Sequence, residues 1–440
     1  MKRKIAFISE HASPLAVLGG VDSGGQNVYV AEICKSLAAL GYIIDIFTRK
    51  DAALPQVVNW LPGIRVIHVD AGPAREVPKE SLLGYMGEFT DSMVRFIERN
   101  RLDYELVHAN FFMSGLVASD IKKRLGIPYV ITFHALGKIR MIHQKEKDAF
   151  PVARLDIEQM IVNDADYIIA ECPQDKQDLI EHYNADPSRI TIIPCGFSSD
   201  EFYPAPKMEA RKRLGLKKDE VVLLQLGRIV PRKGIDNVIR AMRFLKNIPK
   251  LRLLVVGGPD EIPDFSRDAE LRRLKGVAEQ EGVSAAVEFV GRRSRQELRH
   301  YYQAADFFIS TPWYEPFGIT PLEAMACGTP VVGSDVGGIK YTVLHGQTGF
   351  LVPPHNPEQL ANALLEGVSC PRKYQQLREN ALKRVNENFT WTNVAKKAHR
   401  LYSRIASERV VTPFYLVQLK KFKRKAVAEP AIGIPAYAIP

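Results

Sequence analysis

The chain is poor in the features that mark several protein classes. Its five cysteines, Cys34, Cys172, Cys195, Cys327 and Cys370, are odd in number and widely spaced. No two stand at metal-ligand or redox spacing, which argues against a zinc module, a thioredoxin-like pair or a disulfide framework. They read as small buried hydrophobes in a reducing compartment. Long apolar runs are missing too. No stretch reaches the ~18 residues of a membrane span. The run Ile5-Ala6-Phe7-Ile8 behind Met1-Lys2-Arg3-Lys4 is too short for a signal-peptide core. These lacks predict a cytoplasmic protein whose membrane contact, if any, is peripheral. The lack of a short repeat period excludes a solenoid. No Gly-x-Gly-x-x-Gly followed about 20 residues later by an acid comes after the first strand, so the dehydrogenase fingerprint is absent. No aromatic-and-basic module of the nucleic-acid-binding kind is visible. The net charge of +10 therefore reads as solubility, or as a cleft that attracts anionic ligands.

What is present is an ordinary globular composition, 46% hydrophobic and 25% charged over 440 residues. That length suits two α/β domains of roughly 200 residues each. Short apolar strands alternate with amphipathic helical segments. The pattern predicts strands at Lys4–Ile8, Ile43–Thr48, Ile64–Val69, Leu106–Ala109, Tyr129–Phe133, Tyr167–Ala170 and Ile190–Ile193 in the first half. In the second half it predicts Val221–Leu226, Arg252–Val256, Val287–Val290, Phe307–Ser310, Pro330–Gly333 and Gly349–Val352. Such alternation implies parallel, doubly wound sheets. Pro194–Pro206 breaks both periodicities and reads as a linker, dividing the chain near residue 200. Beyond about Val410 stands Lys420-Lys421-Phe422-Lys423-Arg424-Lys425, which reads either as a solvated tail or as a contact for anionic lipid.

Three segments carry chemistry. Gly19-Gly20-Val21-Asp22-Ser23-Gly24-Gly25-Gln26-Asn27 follows the first strand and opens a helix ending near Gly41. Glycines there let backbone N–H groups approach a phosphate, which the helix dipole also favours. Gly227-Arg228-Ile229-Val230-Pro231-Arg232-Lys233-Gly234 follows the first strand of the second half. Arg228 and Lys233, five apart, read either as a solvated basic turn or as a pair that can neutralise a diphosphate leaving group. Glu315-Pro316-Phe317-Gly318-Ile319-Thr320-Pro321-Leu322-Glu323 is the third. Thr320, Pro321 and Glu323 fit N-cap, N1 and N3 of a helix start with a capping box. Capping leaves Glu315 and an exposed Phe317-Gly318 unexplained. His134 and His108, at the ends of apolar strands, fit either a cleft or the core. Arg154 and Glu158 fit surface charges.

The Glu-x₇-Glu spacing of Glu315 and Glu323, the Arg228/Lys233 pair, the glycine-rich first loop and His134 together resemble the retaining glycosyltransferases of family 4. The likeness runs to about Ser407. It implies the GT-B fold, two Rossmann-like domains facing across a cleft. Residues 1–200 would bind acceptor and 201–393 the nucleotide-sugar donor. Residues 394–408 would form a helix crossing back to the first domain, and 409–440 a basic tail. The resemblance further implies that Arg228 and Lys233 hold the donor diphosphate and Glu323 the ribose. Glu315, with the N–H groups of Phe317 and Gly318, would hold the donor sugar. Gly24 and Gly25 would lie against the phosphates, and His134 against the transferring sugar. Neither a metal nor another cofactor is required. The first loop is most similar to enzymes that glycosylate inositol 3-phosphate and to bacterial sucrose-phosphate synthases. In the former, Asn, Lys, Tyr, Thr and Arg hold the acceptor phosphate. Asn27, Lys79 and Arg154 fill three of those places; Phe111 and Ala135 stand at the other two. The expected reaction moves a hexosyl group, from a UDP-sugar by preference, to a small sugar or polyol hydroxyl, phosphorylated acceptors included. A lipid or polysaccharide acceptor at a membrane is an alternative, and a non-catalytic nucleotide-sugar binder another.

Overall fold

The structure, a computed structural model, describes residues 3–16, 24–144 and 150–426, with side chains as far as 408. Gly19 to Ser23 of the first motif, and residues 427–440 of the tail, lie outside the described residues. The first half builds β1 (Lys4–Ile8), β2 (Ile43–Arg49), β3 (Val57–Leu61), β4 (Ile64–Val69), β5 (Val107–Asn110), β6 (Tyr129–Thr132), β7 (Tyr167–Ala170) and β8 (Ile190–Ile192). They form one sheet in the order β3-β4-β2-β1-β5-β6-β7-β8. The second half builds β9 (Val221–Leu226), β10 (Leu251–Val256), β11 (Val287–Gly291), β12 (Phe307–Ser310), β13 (Val331–Ser334) and β14 (Gly349–Val352). Their order is β11-β10-β9-β12-β13-β14. Strands β5, β6, β7, β12 and β13 are buried along their whole length, because helices cover both faces. That double burial is why the sequence shows them as unbroken apolar runs.

One strand departs from the expected parallel pattern. β3 pairs antiparallel with β4 through a tight connection at Gly63, whose φ is +80°. Its residues alternate between exposed and half-buried, so Val57-Val58-Asn59-Trp60-Leu61 has no buried face to advertise. In both sheets the strand order reverses once, at β1/β5 and at β9/β12. Crevices outside the carboxyl ends of strands at such reversals are where open α/β sheets take ligands.

The chain passes between the halves twice, side by side. Phe197 N–H donates to the Phe389 carbonyl at 2.9 Å, and Trp391 N–H to the Phe197 carbonyl at 3.3 Å. Gly196 has no side chain because the Trp391 ring occupies that space; a Cβ there would come within 2.9 Å of Trp391 Cδ2. The helix that follows, Trp391–Ala426, lies against the first-half helix Gly25–Ala39. Tyr402 Oη meets His108 Nδ1 at 2.7 Å, Tyr42 Oη meets His399 Nδ1 at 2.9 Å, and Tyr167 Oη donates to Glu408 at 2.9 Å. The helix does not stop at 408: it runs on to Ala426, through most of the stretch expected as a tail. No helix among the described residues is long and apolar enough to cross a membrane. Four cysteines are buried, as expected, but Cys370 is exposed.

Candidate active site

The second-half motif begins where β9 ends. Gly227 turns the chain, and a short turn over Pro231–Lys233 closes at Gly234. Gly234 has φ +63° and sits against the Thr311 carbonyl, leaving no room for a Cβ. This turn delivers Lys233 into an ion pair with Glu315, and Arg232 Nη1 stands 3.5 Å from the same carboxylate. Burial alone would raise the Glu315 carboxyl; Lys233, Arg232 and Arg228 outweigh it and hold it at about 2. Burial, in turn, lowers Lys233 from the usual lysine range, and Glu315 opposes that. The charges here stabilise one another in a poorly solvated place, as a site for an anionic ligand requires.

The helix Ile319–Ala326 starts earlier than the Thr320 cap expected from sequence. Its N-cap is Gly318, at φ +88°, with no side-chain capping bond. Glu323 is therefore not half of a capping box. It is 3% exposed, and its oxygens accept from Arg295 Nη1 at 3.1 Å and from Tyr302 Oη at 2.9 Å. Phe317 is buried rather than exposed, and Gly337 and Gly338 lie tight against the backbone of Glu315 and Phe317.

Across the cleft, Gly24 is the N-cap of the helix Gly25–Ala39. A Cβ on Gly24 would lie 3.9 Å from Arg228 Nε, and one on Gly25 would lie 4.0 Å from Ile319 Cδ1. Two helix N-termini, one from each half, thus meet beside Arg228. Both present backbone N–H groups and the positive end of a helix dipole. Beside this junction is a cavity of about 350 Å³ lined from both halves, with His143, Asp175 and Asp178 on one side and Tyr314, Glu315 and Lys340 on the other. His143 stacks on Tyr314 at 4.8 Å, and Lys340 Nζ donates to Gln174 at 2.9 Å, closing the cavity's rim. Burial, reinforced by Glu171, pushes the Asp175 carboxyl up to about 8.

The second half, residues 206–384, matches the family model of the glycosyl transferases group 1, and residues 23–201 match that of glycosyltransferase family 4. A D-inositol 3-phosphate glycosyltransferase of Catenulispora acidiphila is 37% identical over 412 residues, 92% of this chain and 95% of that one. This protein is a glycosyltransferase of that family. A sucrose-phosphate synthase from Thermosynechococcus elongatus superposes with a TM-score of 0.83 at 34% identity, covering 92% of this chain and all of the other. HepE of Anabaena, solved with UDP, shares the fold at a TM-score of 0.72 and 22% identity. The glycosyltransferase thus has the GT-B architecture of two Rossmann-like domains.

The first-half residues are less open than their sequence positions imply. His134, at φ +57°, has Nδ1 3.0 Å from Glu171 and Nε2 3.1 Å from Asn110 Oδ1, and its ring meets Tyr29 edge-on. His108 is fully buried on Thr132 and Tyr402; burial lowers its imidazole to about 3 and keeps it neutral. Asn27 accepts from Gly24 N–H at 2.9 Å and donates to the Ser13 carbonyl at 2.9 Å, so it fastens the glycine loop. Arg154 and Glu158 are not surface charges. They form a buried pair at 2.7 Å, with the guanidinium within 5 Å of the rings of Phe111, Phe112 and Phe150. Arg154 Nη2 donates to the Ala135 carbonyl at 2.5 Å, while Nη1 has no hydrogen-bond partner. Lys79 lies in a short turn and pairs with Glu80 at 3.1 Å. Two of the three expected acceptor contacts are thus buried and already bonded within the chain. Sequence reading missed Arg232, Arg295, Tyr302 and Gly337. Only Arg232 carried a signal, as the neighbour of Lys233.

Proposed function

We propose that this glycosyltransferase moves a hexosyl group from a UDP-sugar to a hydroxyl of a small sugar or polyol, with retention of configuration. The observation that carries the reading is the junction at Gly24 and Arg228, where two helix N-termini face a cluster of three cations. It is a place built for a diphosphate. Arg228 and Lys233 hold the diphosphate, with Gly24 and Gly25 against its oxygens. Glu323 accepts from the ribose. Glu315, with the N–H groups of Phe317 and Gly318, accepts and donates to the donor sugar. Lys233 and Glu315 then exchange part of their mutual pairing for the ligand. HepE's complex with UDP, on the same fold, supports the choice of nucleotide.

In the transfer step the acceptor oxygen bonds to the anomeric carbon on the face the diphosphate leaves. The bond to the diphosphate breaks and its electron pair departs with it. The acceptor proton passes to a donor phosphate oxygen. No protein nucleophile is needed; positioning and charge stabilisation do the work. His134 presses on the transferring sugar from a ring fixed by Glu171 and Asn110. The acceptor occupies the cavity next to Glu315. Asn27, Lys79 and Arg154 do not line that cavity; Asn27 and Arg154 act on the acceptor side through the loop and helix they fasten. The names of the inositol-phosphate and sucrose-phosphate relatives support a small sugar or polyol, phosphorylated or not.

A thermal-shift series with UDP-, GDP- and ADP-glucose tests the donor, because a ligand that binds only the folded state raises its melting temperature. UDP-glucose is expected to give the largest rise, and release of UDP is expected to depend on added acceptor. A larger rise with GDP- or ADP-glucose would overturn the nucleotide. UDP-sugar binding without transfer to any sugar or polyol, free or phosphorylated, would make the protein a binder.

A further inference from the structure

Arg295 is the first residue of the helix Arg295–Ala304 and belongs to none of the roles above. Its side chain bridges two carboxylates: Nε donates to Glu201 at 2.6 Å and Nη1 to Glu323 at 3.1 Å. The guanidinium lies over the Phe202 ring at 4.9 Å. Glu201 and Phe202 belong to the linker between the halves. Tyr302, two turns further along the same helix, donates to the second oxygen of Glu323. We infer that Arg295 is a positioning residue for the donor: it holds Glu323 in its ribose-binding orientation and ties it, through Glu201, to the linker. This rests on the reading of Glu323 as the ribose contact.

The geometry carries the inference. A carboxylate oxygen has two acceptor directions. Arg295 takes one on the first oxygen and Tyr302 one on the second, which leaves one on each for a pair of neighbouring hydroxyls. Glu323 is buried, and a buried carboxylate stays ionised only with a partner. The groups facing it are Arg295 and Tyr302 on the one helix, Glu201 from the linker, and Cys327 at the end of its own helix. Burial raises the Glu323 carboxyl, Arg295 and Tyr302 oppose the rise, and Glu201 adds to it. Protonation would remove acceptor capacity, so donor binding weakens as pH falls through this pKa. Removing Arg295 moves that loss to higher pH. Removing the charge of Glu201 moves it to lower pH.

The test uses the full chain with UDP-glucose. Arg295→Gln is expected to raise the donor KM about 10- to 100-fold, the scale of a lost charge-assisted hydrogen bond, with kcat little changed. The acid limb of kcat/KM should move up in pH for Arg295→Gln and down for Glu201→Gln. Arg295→Lys should recover part of the limb. Tyr302→Phe should shift KM in the same direction as Arg295→Gln by less, and it serves if the glutamine variant fails to fold. Calorimetric titration with UDP gives the same comparison without turnover. The role is overturned if donor KM and acid limb stay at wild-type values in Arg295→Gln, or in Tyr302→Phe where the former does not fold, while Glu323→Ala abolishes UDP binding. If Glu323→Ala itself binds UDP normally, the ribose reading fails instead.

Discussion

Lys233→Ala is expected to lower transfer by about a hundred- to a thousandfold, the cost of removing one preorganised charge from a developing oxyanion. Lys233 is one of three cations gathered round Glu315, and the one paired with it most closely. Under the proposed donor reading its loss would take a charge from the departing diphosphate, and it frees Glu315 from its main anchor. The fold should survive, because Arg232 and Arg228 remain to face the carboxylate. Single-turnover rates with UDP-glucose, set beside melting temperatures, separate the two effects. Turnover near the wild-type value in a folded variant would sink the donor-site assignment.

Gly337→Ala should damage both stability and activity. Gly337 has φ +45°, and a Cβ there would overlap the carbonyl oxygen of Glu315. A Cβ on Gly338 would likewise strike the Phe317 backbone. The obstacle is main chain, which cannot swing aside as a side-chain tip can. Left-handed strain and overpacking together should cost about 2–5 kcal/mol. The displaced segment is the one that aims Glu315, and sites of this kind lose function on shifts of about 0.5 Å. Gly346→Ala is the matched control: φ is +71°, yet nothing lies within 4 Å of the added carbon. It should keep activity and lose only the backbone-strain part of the stability. Equal melting temperatures and equal activities for the two variants would refute the packing argument.

The sequence revealed what repetition and local chemistry can reveal. Strands buried on both faces, such as Tyr129-Val130-Ile131-Thr132, stand out as apolar runs, and glycines clustered with cations after a strand mark the turn at its carboxyl end. β3 did not stand out, because an edge strand with one face exposed and the other only half-buried has no polar/apolar alternation to show. The cap of the Ile319–Ala326 helix was misplaced because Thr-Pro-x-Glu is a sound local start signal. Here Tyr302 and Arg295, 21 and 28 residues upstream, claim the Glu323 carboxylate instead. Arg154 and Glu158, four apart, have the spacing of a surface helix pair. Only the tertiary fold brings Phe111, Phe112 and Phe150 over the guanidinium. Gly337 gave no warning, since its neighbour in space lies 22 positions back in the chain.

The paired crossing at Phe197 and Thr390 has a consequence for how such molecules can be recombined. Both junctions of the second half fall within one small patch of hydrogen-bonded backbone. The stretch 198–389 can therefore be exchanged with one backbone seam to rebuild, the Phe197 bridge and the Gly196 seat for Trp391, provided the incoming half also meets Gly24, His143 and Gln174 across the cleft. A chimaera cut at those two points keeps each sheet whole and leaves the returning helix on its original bed. In this architecture the second half is an exchangeable cartridge, threaded in through one short stitch.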